Sequence, residues 1–169
     1  MSTVMEPDRL GKYEIRGTLG KGAMGTVYAG WDPVISRKVA VKTVRLPDAS
    51  DIDAQEELAR FKREAQAAGR LTHPNIVGIF DYGESDQLAY IVMEFVDGQT
   101  LKSLLDAGER LTVPHVAKVM GDLLAGLAYS HERGVVHRDI KPANIMIVAM
   151  LPSNGRSPVK SWNSSTPLE

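Results

Sequence analysis

Apolar residues along this chain switch between two spacings. From Tyr13 to Leu46 they come in short β-branched or aromatic runs, Val27-Tyr28 and Val39-Ala40-Val41, set between turn residues. That pattern predicts strands, with residues 30–37 (GWDPVISR) turning between two of them. Residues 47–53 are a polar break. From Asp53 to Leu71 the period is helical, because Leu58, Phe61, Ala65 and Ala68 are spaced three, four and three. A residue before proline is pushed out of the helical region, so His73-Pro74-Asn75 ends that helix. Residues 76–82 and 88–95 then read as strands, with 83–86 as their turn. Past Asp97-Gly98 the helical spacing returns. Residues 100–107 predict a short helix with Leu101, Leu104 and Leu105 on its face. A longer helix begins at Thr112, a suitable N-cap, with Pro114 in the first turn where its missing N–H costs nothing. Its stripe is Val116, Val119, Met120, Leu123, Leu124 and Leu127, and Gly134 is its stop. The order is a strand-rich half with one helix, then a helical half: an α+β chain with no internal repeat.

Composition narrows the class. The 169 residues are 43% hydrophobic and 24% charged, a balance that supports a core rather than disorder. A net charge of −1 offers no electrostatic case for nucleic acid or an anionic membrane as partner. The absence of cysteine excludes disulfides and thiolate zinc sites, and suits a reducing compartment. No run approaches the roughly 18 apolar residues of a membrane span, and MSTVMEPDRLGKYEI has no signal-type apolar core. The expectation is a cytoplasmic chain with no membrane segment.

Three stretches carry chemistry. The first is LGKGAMGTVYAG, residues 19–30, in which Gly20, Gly22 and Gly25 fit G-x-G-x-x-G. Glycines there let backbone N–H groups approach an anion; taken alone, such a match also fits a flexible turn. A dinucleotide fold needs a helix directly after the third glycine, whereas Thr26-Val27-Tyr28 continues as a strand. The second is Val39-Ala40-Val41-Lys42, an apolar strand ending in a cation. Either Lys42 reaches solvent or it is held toward phosphates by a carboxylate of the next helix, with Glu57 and Glu64 both on the flank of the stripe. The third is HRDIKPAN, residues 137–144, set between Val135-Val136 and residues 145–148, two segments expected to be buried. A carboxylate there can align an alcohol, a lysine can offset charge on a phosphoryl group, and an amide oxygen can bind a hard cation.

Together, LGKGAMGTV, VAVK and HRDIKPAN resemble the protein kinase family on its serine/threonine side, with order and spacing in agreement from about Tyr13 to Val148. The GKGAMG style resembles bacterial members. FKREAQAAGRLTHPNIV is similar to the family's αC helix and its exit, and so singles out Glu64 as the partner of Lys42. The resemblance implies ATP and Mg²⁺ as cofactors. Gly20, Gly22 and Gly25 would cover the phosphates, Leu19, Lys21, Ala23 and Met24 would belong to the same ATP-binding loop, and Lys42 would pair with the α and β phosphates. Val27, Ala40 and Met146 would sandwich the adenine. Met93 would be the gatekeeper, and the backbone of Glu94 and Val96 would meet the adenine edge. Asp139 would orient the substrate hydroxyl, Lys141 is the serine/threonine-type signature, and Asn144 would hold one Mg²⁺. Arg138 resembles the arginine that receives an activation-loop phosphate.

The expected fold is a protein-kinase-like two-lobe fold: a small β-rich lobe with one main helix, then only the start of a helical large lobe. Its parts are a flexible leader at 1–9, an ATP-binding small lobe at 10–96, the start of the large lobe with the catalytic loop at 97–148, and an irregular Ser/Pro-rich tail at 149–169. The family's Asp-Phe-Gly and Ala-Pro-Glu do not occur. Asn154-Gly155 would turn a hairpin, Val159-Lys160 would form the returning strand, and Asn163-Ser164-Ser165 would occupy the Asp-Phe-Gly position; the alternative is an unrelated tail. Three readings stay open: transfer of the ATP γ-phosphoryl group to protein Ser/Thr hydroxyls, a catalytically dead truncated module that binds nucleotide or a protein, or a frameshifted or incomplete product with no role of its own. The stripe of the long helix would lack part of its cover, and exposed apolar surface of that kind favours aggregation or a protein partner covering the helix.

Overall fold

The computed structural model describes residues 7–22, 25–47, 50–85, 87–148 and 159–161. The chain divides into two units, residues 1–65 with 79–95, and residues 66–78 with 96–169. In the first, the β-branched runs pair into one antiparallel sheet of order β1-β2-β3-β4-β6-β5. Its strands are β1 (Arg9–Leu10), β2 (Tyr13–Gly22), β3 (Gly25–Asp32), β4 (Arg37–Arg45), β5 (Ile79–Ser85) and β6 (Leu88–Glu94). Helix α1 spans Ile52–Ala68.

Strand alternation sends Tyr28, Val39, Val41, Tyr90 and Val92 to one face, where they form a buried cluster with Leu10 and Tyr13. Val39, Val41, Val92 and Leu10 are fully buried, a stabilisation of about 1.5–3 kcal/mol each. Tyr13 packs edge-on to Tyr90 and donates from its hydroxyl to Asp81 Oδ2 at 2.8 Å. Burial first, then that hydrogen bond to a carboxylate, raises the Tyr13 phenol well above its ordinary value. Asp32 ends β3 as a buried carboxylate. It accepts the Val34 and Ile35 N–H groups and pairs with Lys12 at 3.0 Å.

Two boundaries differ from the periodicity reading. The turn expected over residues 30–37 shrinks to 33–36, because Gly30, Trp31 and Asp32 pair with Val39, Lys38 and Arg37. The strand expected at 76–82 begins at Ile79 and runs on to Ser85, so Gly83 is a ladder residue opposite Tyr90. A side chain at Gly83 would collide with the Tyr90 hydroxyl, which is why glycine stands there without making a turn.

The second unit is built on α3 (Val113–Glu132), capped by the Thr112 hydroxyl and stopped at Gly134, whose φ is +73°. Its stripe splits in two. Val119 and Leu123 are buried and pack with Ile145, flanked by Leu101, Leu127 and Ile147. Val113, Val116, Ala117, Met120, Gly121, Leu124, Ala125 and Ala128 form a second face that is uncharged and exposed. Helix α2 (Leu101–Asp106) is capped by Thr100. Strand β8 (Ile145–Val148) lies between β7 (Gly98–Thr100) and β9 (Val159–Ser161).

The strand considered at Val159-Lys160 is therefore present, paired antiparallel to β8. Residues 163–165, the turn at 154–155 and most of the leader lie outside the described residues. Residues 66–78, placed with the small lobe by sequence, group with α3. The Thr72 N–H donates to the Tyr129 hydroxyl, the His73 ring lies 4.9 Å from that of Tyr129, and Gly126 leaves room for the Asn75 backbone.

Candidate active site

In the first unit, the register of β3, β4 and β6 decides which side chains meet. Val27 stands opposite Lys42, Lys42 opposite Ile91, and Ala40 opposite Met93. Val27, Ala40, Lys42 and Met93 therefore share the face turned away from the Tyr28–Val41 cluster. Ala40 and Met93 are buried there. The Lys42 ammonium lies 5.8 Å from the centre of the Phe61 ring on α1. Glu64 is half-buried three residues further along that helix, on the same side. The periodicity of α1 left Glu57 and Glu64 equivalent; in the structure Glu57 is exposed and Glu64 half-buried. Glu94 closes β6 and is half-buried.

The glycine stretch is a hairpin of β2 on β3. Gly20 stands opposite Val27, Lys21 opposite Thr26, and Gly22 opposite Gly25. A bulge between Thr18 and Gly20 leaves Leu19 exposed. Ala23 and Met24 lie outside the described residues. The three glycines are there for different reasons. A side chain at Gly20 would meet nothing within 4 Å, and at Gly22 only the Gly25 carbonyl at 3.9 Å. Both positions leave open space beside the backbone, which suits an approaching phosphate. At Gly25, with φ +146°, a Cβ would fall 1.7 Å from the Thr43 carbonyl oxygen. Glycine is required there by the chain's own backbone.

In the second unit the catalytic-loop residues converge within a few positions. The Asp139 N–H donates to the His137 carbonyl at 2.8 Å and to His137 Nδ1 at 3.3 Å, around an Arg138 with φ +60°. Such a tight turn is strained for a residue with a side chain, and is held only when its surroundings define it. Asn144 supplies part of that definition, since its Nδ2 donates to the Asp139 carbonyl at 2.9 Å and to Asp139 Oδ2 at 2.8 Å. The Lys141 ammonium lies 3.1 Å from the same carboxylate oxygen. A 3-10 turn over Pro142–Asn144 closes the loop and leads into β8. With its NH₂ group spent on Asp139, Asn144 keeps its carbonyl oxygen as an acceptor, the donor type a hard divalent cation takes. Val96 and Met146 are half-buried, and Met146 pairs with Thr100 in the β7–β8 ladder.

The clamp around this loop differs from the expected one. Val136 is 55% exposed, and the buried anchor is His137. An imidazole can fill apolar space and still accept from the Asp139 N–H, which valine cannot. His137 and Thr43 are the residues of these two constellations that spacing alone did not single out. His137 stands inside the quoted motif, and its burial beside Asp139 was the missing signal.

A family model described as "Protein kinase domain" matches residues 13–153. The chain is 44% identical over 137 residues to the serine/threonine-protein kinase PrkC of Bacillus subtilis, covering 81% of this chain and 21% of that protein. It is 42% identical to the serine/threonine-protein kinase PknB of Mycobacterium tuberculosis, covering 82% of this chain and 22% of that protein. The crystal structure of the Mycobacterium tuberculosis PknI kinase domain superposes with a TM-score of 0.73 and 31% identity, over 90% of this chain and 57% of that one. The chain thus spans about a fifth of the length of these curated relatives. Sheet, helices and motif order agree with these matches, and the chain belongs to the protein kinase family, of the bacterial serine/threonine type.

Proposed function

We propose that this chain supplies the nucleotide-holding and catalytic-loop parts of a serine/threonine protein kinase, transferring the γ-phosphoryl group of ATP to a Ser or Thr hydroxyl of a protein. The observation that carries this reading is the short Asp139–Lys141–Asn144 constellation, in which one carboxylate oxygen receives both an ammonium and an amide. In the reaction the substrate oxygen bonds to the γ-phosphorus while the bond from that phosphorus to the leaving ADP oxygen breaks. ADP keeps the bonding electrons, and the hydroxyl proton passes toward the Asp139 carboxylate.

Asn144 and Lys141 hold that carboxylate in one orientation, so it aligns the hydroxyl without reorganising. Lys141 also offsets negative charge on the phosphoryl oxygens. In the first unit, Lys42 and the backbone near Gly20 and Gly22 take phosphates, with Val27 and Ala40 against the adenine, Met93 as the gatekeeper and the Glu94 backbone at the adenine edge. Mg²⁺ supplies charge neutralisation when bound, and Asn144 is the residue that would hold it. The reaction belongs in the cytoplasm, where ATP is available; no helix among the described residues is long and apolar enough to cross a membrane.

The test is transfer of radiolabelled phosphate by this chain, with Asp139→Asn as control. Label from the wild type alone supports the proposal, and equal label from both overturns it. A nucleotide-binding module without turnover is the second reading, favoured by the open space at Gly20 and Gly22. It predicts a melting temperature that rises with ATP and Mg²⁺ while no label is transferred, and a rise that is lost in Lys42→Met. The uncharged exposed face of α3 supports a protein partner there. Light scattering with and without Met120→Lys tests self-association through it.

A further inference from the structure

We infer that Thr43 is a positioning residue that clamps the root of the glycine hairpin to β4. This rests on the reading that the hairpin and Lys42 hold nucleotide phosphates. Thr43 is buried, and it stands opposite Thr26 in the β3–β4 ladder, one position beyond the Lys42–Val27 pair. Neighbouring residues of a strand point to opposite faces, so the Thr43 side chain is on the far face from Lys42 and does not reach the nucleotide.

Two contacts make the clamp. The Thr43 hydroxyl donates to the Thr26 carbonyl at 3.1 Å. The Thr43 carbonyl occupies the space that a side chain at Gly25 would need. Gly25 and Thr26 are the first two residues of β3, where the hairpin returns from its tip. A buried hydroxyl needs a partner, and this one finds it at the base of the loop. Because Thr43 is covalently next to Lys42, a single strand supplies both the ammonium and the anchor. The distance from Lys42 to the hairpin root is thereby set by one peptide unit.

The clamp is tested with Thr43→Val, which keeps the shape and removes the donor, and Thr43→Ser, which keeps the donor. Thr43→Ala serves as a second donor-free variant should the valine form not fold. Calorimetric affinities for ATP and for adenosine are compared, together with amide hydrogen exchange over residues 20–27. The expected result for Thr43→Val is an ATP affinity lower by about tenfold, the scale of one net hydrogen bond. Adenosine affinity changes less than about twofold, because the hairpin tip addresses phosphates, and exchange over 20–27 quickens. Thr43→Ser restores both. Equal losses for ATP and adenosine, or exchange unaltered by removing the donor, overturn the clamp. A wild type that binds neither ligand sinks the nucleotide reading instead, and the exchange comparison then decides the clamp by itself.

Discussion

The glycine hairpin with Lys42 and the catalytic loop are assembled at different ranges. In the loop, Asp139 bonds to His137, Lys141 and Asn144, partners two to five residues away. In the hairpin, Thr26 meets Thr43 across 17 residues, and Lys42 is placed between Val27 and Ile91 by two ladders. Local bonds form with little loop-closure cost, whereas a ladder exists only when the whole sheet is in register. The loop geometry therefore depends on the order of eight residues, and the hairpin geometry on the sheet core. Substitutions in the loop should change chemistry and spare stability, while those in the sheet should change both.

The largest effect tests the local half. Asn144→Ala removes both amide bonds to Asp139, and the phosphotransfer rate should fall by about 10²–10³-fold, the range for one preorganised polar group. The melting temperature should shift little, because Asn144 lies on a short 3-10 turn with no buried residue. A large loss of stability would mean that the loop is not locally defined.

The support beneath that loop is tested next. Leu123→Ala, at a residue 4% exposed, should cost about 3 kcal/mol in urea unfolding. Leu124→Ala, at 58% exposed, should stay within about 0.5 kcal/mol. Similar losses for both would show that the outer face of α3 is covered in solution.

Gly25→Ala addresses the long-range half. It places a Cβ against the Thr43 carbonyl, and should cost about 2 kcal/mol and weaken ATP binding. Gly20→Ala should leave stability within about 0.5 kcal/mol and weaken ATP binding alone. Equal unfolding curves for the two variants would refute the division of roles among the glycines.

The smallest effects concern pH. The raised Tyr13 phenol favours the protonated native state, so its contribution is whole below the ordinary tyrosine value of 10.0 and is lost as pH rises through the higher folded value. Tyr13→Phe should cost about 1 kcal/mol at neutral pH and soften the alkaline decline. Asp32 behaves in the opposite sense. Burial alone would raise its carboxyl, but the Lys12 ammonium and the Val34 and Ile35 N–H groups outweigh that and hold it below its ordinary 3.8. Its contribution is present above that value and lost as pH falls through the lower folded one, and Lys12→Met should move the acid midpoint upward.

Spacing alone determined the helices α1 and α3, the cap at Thr112, the stop at Gly134 and the three motif stretches. Those features depend on neighbours within a turn or two, where the order of residue types already decides the geometry. Only the tertiary structure divided the six-residue stripe of α3 into a buried and an exposed face, since both have the same period and differ in what packs on them. It also extended β5 through Gly83, because the space for the Tyr90 hydroxyl is made by a partner strand. In the same way it brought Lys42 near Phe61 of α1 and assigned Gly25 to Thr43. Each of these is a relation between residues far apart in the chain, which no local pattern encodes and which only a sheet in register brings into contact.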